Sequence, residues 1–284
     1  MDFVTWARSP WGEDVLTHFS WSLFWASLVG GVLFLIAHGG YMLFSRHLKR
    51  SADEVDRLEA ERKGLPATIE RLAFVARVFH WIMAASMLVL VVTAFFPVIG
   101  IQFDWVEWHW IAGIVLTGSI LFHIVHATFF LDFWSIWVGP KDIPELKREL
   151  LQELGELPEG TSGKYPLGNR LYHLVVMIAG LAVIATGILM MYRIRNPIFT
   201  PRNPYLMGDP AWGFTYVLHG LAGVGFVGLI IAHIYFALRP EKLWITKSMI
   251  LGYITRRQYL EHHDPDRWKV APTGASQPTG PHAA

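Results

Sequence analysis

Five long apolar segments constrain the fold of this 284-residue chain more than any other feature. Each segment is long enough to cross the hydrocarbon core of a bilayer, which takes roughly 20 residues of helix. Of all residues, 53% are hydrophobic and 17% are charged, against about 25% charged in soluble domains. The sequence therefore predicts an all-α membrane protein, a five-transmembrane-helix bundle, with spans at 19–44, 76–97, 109–132, 170–192 and 213–238.

The positive charges are distributed unevenly among the segments that join these spans. Eight Lys and Arg residues lie in 45–79, five in 133–170 and seven in the tail from Arg239, whereas the other connections together hold four. Positively charged loops of membrane proteins stay in the cytoplasm. We therefore expect a multi-pass protein with its N-terminus outside and its C-terminus in the cytoplasm.

Composition divides the chain into three regions. Residues 1–75 hold the first span and a polar segment that predicts a cytoplasmic linker helix. Residues 76–268 hold the other four spans and a cytoplasmic tail, and include the stretch "KDIPELKRELLQELGEL", which has the apolar spacing of an amphipathic helix. Residues 269–284 are rich in Pro, Gly and Ala, and we expect a disordered tail there.

The chain contains no cysteine. Disulfides, thiolate-held iron–sulfur clusters and covalently attached c-type haem are thereby excluded within this chain. Its net charge of +1 and its scattered basic residues do not predict nucleic-acid binding. No catalytic side chain is predicted, so the histidines within the spans are the candidate functional groups.

Two of these histidines lie in the last span, fourteen residues apart. That interval corresponds to about 3.9 helical turns and about 21 Å, so His219 and His233 share a helix face at opposite depths of the membrane. An ionisable ring is costly in hydrocarbon and marks a candidate functional site, although a single such ring more often only hydrogen-bonds a carbonyl. Neutral imidazole nitrogens are suitable ligands of iron, including the iron of haem.

Each of the two histidines needs a partner at its own depth. His109 opens the third span from the outer side and pairs by depth with His219. His80 opens the second span from the inner side and pairs by depth with His233. His123 lies fourteen residues after His109 and competes with His80 for the inner position, and spacing alone does not choose between them.

Several short motifs follow one another between Phe79 and Trp268. They read "FHW", "WHWIAG", "GKYPLGNR", "LHGLAG…AHIYF" and "TRRQYLEHHDPDRW". In these motifs the chain resembles the cytochrome b (gamma) subunit of membrane-bound formate dehydrogenase, within a wider family of di-haem b-type cytochromes of hydrogenases and molybdenum enzymes. That family has four spans, so the resemblance does not extend to residues 1–75.

The resemblance implies two b haems with histidine axial ligands. The four implied ligands of the haem iron are His109 and His219 in the outer site and His80 and His233 in the inner site. In the family the histidine of the "HW" motif ligates the inner haem, which favours His80 over His123. His123 and His126 would then contact the haem without ligating its iron, or be structural.

The resemblance also implies a quinone site beside the inner haem, formed in part by the "GKYPLGNR" stretch. Gly168 matches the family there, and Asn169 replaces a longer amide by a shorter one. Pro166 stands where the family has an asparagine, and proline offers no amide or side-chain donor. The predicted quinone contacts are therefore Gly168 and Asn169, together with His233.

The predicted function is electron transfer across the membrane, which the resemblance implies is the bacterial inner membrane, with the N-terminus in the periplasm. The chain would take electrons from an iron–sulfur subunit, fed by a molybdenum or tungsten catalytic subunit, and pass them through two haems to quinone near the cytoplasmic face. Formate as the donor is implied by the resemblance alone, and a hydrogenase or another molybdenum oxidoreductase is the alternative. A non-haem membrane anchor and a ferric or thiol-compound reductase are further alternatives.

Overall fold

Helix dominates the part of the chain that the computed structural model describes, which is residues 3–44, 50–131, 133–153, 156–157 and 162–273. The helices are α1 (Ser22–Phe44), α2 (Ala52–Glu61), α3 (Phe74–Phe95), α4 (Trp105–Phe130), α5 (Ile143–Glu153), α6 (Leu167–Met191), α7 (Asp209–Leu238), α8 (Leu243–Leu251) and α9 (Arg256–His262). The strands are β1 (Val4–Arg8), β2 (Asp14–Phe19), β3 (Thr68–Glu70) and β4 (Tyr253–Thr255). Short 3-10 turns lie at Pro97–Ile99, Phe133–Ile136, Pro140–Asp142 and Pro240–Lys242.

Helices α1, α3, α4, α6 and α7 are long and apolar enough to cross a membrane. The five predicted spans are thereby confirmed, and the protein is a mostly helical, multi-pass membrane protein. Within the most apolar part of each span, 6–17% of the residues are buried by protein, so most of this surface is left for lipid. Helix α7 starts at Asp209, where an acidic residue followed by Pro210 suits the first turn of a helix.

The chain forms two compact units, and the division falls within each of the five long helices. The first unit comprises Met1–Ala37, Ile82–Ile120 and Val176–Tyr235. The second unit comprises His38–Trp81, Leu121–Val175 and Phe236–Ala284.

In the first unit, β1 and β2 form an antiparallel hairpin that was not predicted. The hairpin packs on the first half of α7, where two glycines make room for it. A Cβ at Gly213 would lie 2.2 Å from the carbonyl oxygen of Leu16, and one at Gly220 would lie 2.2 Å from the ring of Phe19. The buried core of this unit includes Phe19, Phe24, Phe95, Val217, Val224 and Val227.

In the second unit, the segment before α3 and the C-terminal tail share one small core. Strand β3 pairs antiparallel with β4, and α2 packs on α9. Ser51 caps α2 and Thr255 caps α9, because each hydroxyl accepts a hydrogen bond from a backbone N–H of the first turn. The buried core residues are Val55, Leu65, Ile69, Ile254, Tyr259, Leu260 and Trp268.

The last described residues continue along this core. Val270 packs against it, and the N–H of Thr273 donates to the carbonyl of Gly64 over 2.8 Å. These residues belong to the stretch 269–284, for which a disordered tail is predicted. Residues 274–284 of that stretch lie outside the described part of the chain.

Candidate functional site

Two histidines of different spans meet in the first unit. His109 lies in the second turn of α4, and His219 lies about three turns into α7. The centres of their rings are 6.2 Å apart, and the ring planes are inclined at 69°. The structure thus brings together the two residues of the predicted outer pair, while their role as iron ligands stays a prediction.

A threonine holds each of these rings by its Nδ1 atom. Thr93 Oγ1 of α3 lies 2.8 Å from His109 Nδ1, and Thr186 Oγ1 of α6 lies 2.9 Å from His219 Nδ1. Each hydroxyl donates its single hydrogen to a carbonyl one turn earlier in its own helix, over 2.7 Å for Thr93 and 2.6 Å for Thr186. With its hydrogen directed to this carbonyl, the hydroxyl accepts from the imidazole, an assignment that places the proton on Nδ1 and leaves Nε2 with its lone pair.

This arrangement suits the axial ligation of a haem iron. A ligating imidazole typically binds metal through one ring nitrogen and donates the other N–H to a neighbouring acceptor, which fixes the tautomer and the ring orientation. An imidazole nitrogen binds a metal at about 2 Å. Two such bonds, together with the distance from each ring centre to its nitrogen, are compatible with the observed ring separation.

The residues of the predicted inner pair lie in different units. His80 belongs to α3 in the second unit, and His233 belongs to α7 in the first. Their pairing therefore remains a prediction that rests on depth and on the family resemblance.

A second pair of histidines, which was not predicted, meets within the second unit. The ring centres of His123 in α4 and His173 in α6 are 6.3 Å apart, with the planes at 71°. The ring of His123 also lies flat on Phe79, 4.4 Å away. In contrast to the outer pair, the Nδ1 atoms of His123 and His126 have no hydrogen-bond partner within the described part of the chain.

The predicted quinone stretch leads into the N-terminus of α6, and a carboxylate of α5 occupies that helix end. The backbone N–H groups of Leu167 and Gly168 donate to the two carboxylate oxygens of Glu149, over 2.5 and 2.8 Å. A carboxylate is favourable at a helix N-terminus because it neutralises the unpaired amides and the positive end of the dipole. Gly168 and Asn169 are exposed beside this cap. Glu149 was not among the predicted site residues.

An ion-pair network fixes α5 against the first turn of α6. The guanidinium of Arg170 donates to both carboxylate oxygens of Asp142 at 2.9 Å, and it also contacts the carbonyl of Trp137. Glu145 lies 3.9 Å from Arg170 and accepts from Arg267 over 2.7 Å. Hydrogen bonds from Arg170 and from the backbone lower the pKa of Asp142, so this carboxyl stays ionised at neutral pH.

The fold has five membrane-crossing helices, and it holds a histidine pair supported by threonines. These features are typical of the membrane cytochromes of b type. The chain belongs to the prokaryotic cytochrome b561 family, whose model matches residues 71–252, more than half of the chain. Membership of this family implies haem b as a cofactor. The hairpin, α1 and α2 precede the matched residues.

The chain is also similar to formate dehydrogenase subunits. It is 24% identical over 218 residues to the formate dehydrogenase, cytochrome b556(fdo) subunit of Escherichia coli strain K12, which covers 71% of this chain and 92% of that protein. Subunits of the same name from E. coli O6:H1 and O157:H7 match to the same extent. The predicted resemblance to this family is thereby confirmed.

Proposed function

We propose that this protein is the membrane cytochrome b subunit of a respiratory dehydrogenase of the formate dehydrogenase kind. It would receive electrons from an iron–sulfur subunit on the periplasmic side and deliver them to quinone near the cytoplasmic face. The observation that carries the proposal is the His109/His219 pair, each ring held by a threonine with Nε2 left for iron. The similarity to formate dehydrogenase subunits supports formate as the donor of the complex.

A bound haem supplies one-electron redox chemistry that no side chain of this chain provides. His109 and His219 would hold the iron of the outer haem, and Thr93 and Thr186 would keep both rings in the ligating tautomer. For the inner haem we propose His80 and His233 as ligands, in line with the family resemblance.

A second candidate for the inner ligand pair is His123 with His173. The separation and inclination of these rings are close to those of the outer pair, 6.3 against 6.2 Å and 71 against 69°. The Nδ1 atom of His123 has no hydrogen-bond partner among the described residues, unlike the Nδ1 atoms of the outer pair. The preference for His80 and His233 rests on the family resemblance. Separate substitution of each residue distinguishes the two pairs by the number of haems that remain.

The electrons that enter this chain must come from another subunit. Without cysteine, the chain cannot bind a thiolate-ligated iron–sulfur cluster. We therefore propose that an iron–sulfur subunit docks at the periplasmic side and that a molybdenum or tungsten subunit lies beyond it. Quinone would bind near Gly168 and Asn169, where it could take up cytoplasmic protons and so contribute to the proton-motive force.

The experiment that tests the proposal is spectroscopy of the complex purified with its partners. A reduced-minus-oxidised spectrum should show the α band of a b-type cytochrome, and haem analysis should give two haems per chain. Formate, rather than hydrogen, should reduce them. Absence of the α band would contradict the electron-transfer function, whereas reduction by hydrogen alone would contradict only the formate part.

A further inference from the structure

A cavity of about 420 Å³ opens in the second unit directly after the last span. It is bounded by the start of α2, the Pro240–Lys242 turn, α8 and α9. Pro240, in its wall, follows the end of α7 at Leu238 by two residues. The cavity therefore lies at the level where the protein leaves the membrane.

The wall of the cavity carries more cationic than anionic groups. Its charged side chains are Arg50, Lys247, Arg257, Glu241 and Glu261. Both carboxylates are already engaged by arginine, Glu241 with Arg239 at 3.3 Å and Glu261 with Arg257 at 3.1 Å. Arg50 is engaged as well, because it pairs with Glu54 at 3.3 Å. Lys247 is exposed, and no carboxylate of the described residues forms an ion pair with it. Its ammonium group is thus free to meet an anion.

Lys247 lies in the middle of an exposed apolar stripe on α8. Leu243, Ile250 and Leu251 share its face of the helix, and their side chains are 37, 59 and 50% exposed. A lysine on such a stripe can lay its methylene stem along apolar chains and extend its charge to the headgroup level. The indole of Trp244, which lines the same cavity and stacks on His262 at 4.5 Å, is typical of the membrane interface.

From these contacts we infer that the cavity binds the headgroup of an anionic phospholipid. The phosphate would lie against Lys247, and the acyl chains would run along the exposed stripe of α8. The volume suits a headgroup rather than a whole lipid, and basic pockets beside membrane helices recognise anionic lipids. The cavity contains none of the residues proposed for haem or quinone, so the inference can be tested separately from the proposed function.

Native mass spectrometry of the full complex, stripped of lipid in detergent and then supplied with phosphatidylglycerol or phosphatidylcholine, tests the inference. The wild type should retain phosphatidylglycerol and not phosphatidylcholine. Lys247→Glu should weaken phosphatidylglycerol binding by roughly tenfold or more, with Lys247→Gln in between, because each basic charge contributes separately to the attraction. Lys269→Glu, which reverses an exposed charge outside the cavity, should bind like the wild type and is the matched control.

Three outcomes would overturn the inference. One is equal retention of phosphatidylglycerol by the wild type and by Lys247→Glu, when both complexes show the same haem spectrum. Another is equal binding of the two lipids by the wild type. The third is displacement of phosphatidylglycerol by millimolar inorganic phosphate, which would identify a site for a free anion instead of a lipid.

Discussion

Two threonines give the outer histidine pair its chemical character. Thr93 of α3 contacts the Nδ1 atom of His109 in α4, and Thr186 of α6 makes the same contact with His219 in α7. Both hydroxyls lie within hydrogen-bond distance of a carbonyl of their own helix, and donation to that carbonyl leaves each hydroxyl to accept from the imidazole. In this arrangement the threonine hydroxyl binds Nδ1 and leaves Nε2 available to a metal.

Replacement of Thr93 by valine should weaken the outer haem site without changing the fold, since valine has nearly the same shape and carries a methyl group in place of the hydroxyl. Loss of a group that supports a metal ligand typically lowers metal affinity by about 10- to 100-fold. The measurements are haem content under limiting haem supply and the reduction potential of the outer haem. Thr93→Ser keeps the hydroxyl and should behave like the wild type. Unchanged occupancy and potential in Thr93→Val would show that the hydroxyl has no such role.

The inner ligands can be identified by haem counting. His80→Ala should reduce the content from two haems per chain to one, whereas His123→Ala and His173→Ala should keep both. The physical reason is that an axial ligand lost from a bis-histidine site removes half of the coordination that the protein supplies. Loss of a haem in His123→Ala and His173→Ala, with none lost in His80→Ala, would assign the inner site to the second histidine pair.

From the sequence, the histidines of the site can be predicted, because an imidazole is costly inside a membrane. The threonines that hydrogen-bond these histidines cannot. His109 and His219 can be recognised in the sequence because an imidazole in an apolar segment is energetically costly and indicates a functional site. Thr93 and Thr186 do not stand out, because a threonine inside a span commonly bonds only its own helix. His173 has the same kind of signal as His123, an imidazole near the inner end of a span, and could have been found by listing every span histidine by depth.

At the scale of elements, the contact of α5 with the start of α6 shapes the predicted quinone stretch. Glu149 caps α6, and a Cβ at Gly168 would lie 3.5 Å from its carboxylate, which is an ordinary contact. Gly168→Ala should therefore be tolerated. Gly168→Trp would displace the cap and fill the adjacent space, so quinone reduction should fall at least severalfold while both haems are retained. Steady-state reduction of a quinone analogue is the measurement, and wild-type rates in Gly168→Trp would argue against a quinone site there.

The residue that follows α9 links the stability of the tail to pH. His263 is fully buried and hydrogen-bonds the carbonyl of Gly163 through Nδ1 over 2.8 Å. Burial lowers the pKa of His263 from 6.5 to about 3. Between these pH values the histidine is neutral in the folded protein and protonated in the unfolded chain. The stability due to neutral His263 is therefore complete above pH 6.5 and is lost as the pH falls towards 3, by about 2 kcal/mol at pH 5.

Thermal unfolding of the tail region at pH 7 and pH 5 measures this effect. The midpoint of the wild type should fall more between these pH values than that of His263→Gln, which cannot titrate. The other acidic and basic groups are common to both proteins, so the difference isolates His263. Parallel shifts in the two proteins would exclude His263 as the titrating group.

At the scale of the whole molecule, the apolar spans were predictable and the small β-structures were not. A segment of more than twenty apolar residues can be recognised as a span from the sequence alone, since only lipid or a large protein core can cover it. The β3–β4 ladder joins residues 68–70 to residues 253–255, and three-residue strands so far apart in sequence leave no local pattern. The hairpin likewise depends on glycines of α7 that lie about 200 residues downstream.

The proposed topology can be tested by cysteine labelling, because the natural chain offers no background thiol. Trp11, which is 82% exposed near the tip of the hairpin, should be labelled by a membrane-impermeant maleimide in intact spheroplasts when it is replaced by cysteine. Lys269→Cys should react only after the membrane is opened. The reverse pattern would invert the orientation deduced from the charge distribution.

The shared core of α2, β3, β4 and α9 has a consequence for biosynthesis. Its two halves are encoded near opposite ends of the chain, with four spans inserted between them. The ribosome must therefore translate past Leu260 before Val55 and Ile69 can contact Ile254, Tyr259 and Leu260, and until then Val55 and Ile69 lack these core partners. Closure of this core thus follows synthesis of the last span, and a chain truncated before residue 253 would leave the apolar side chains of α2 and β3 without their partners.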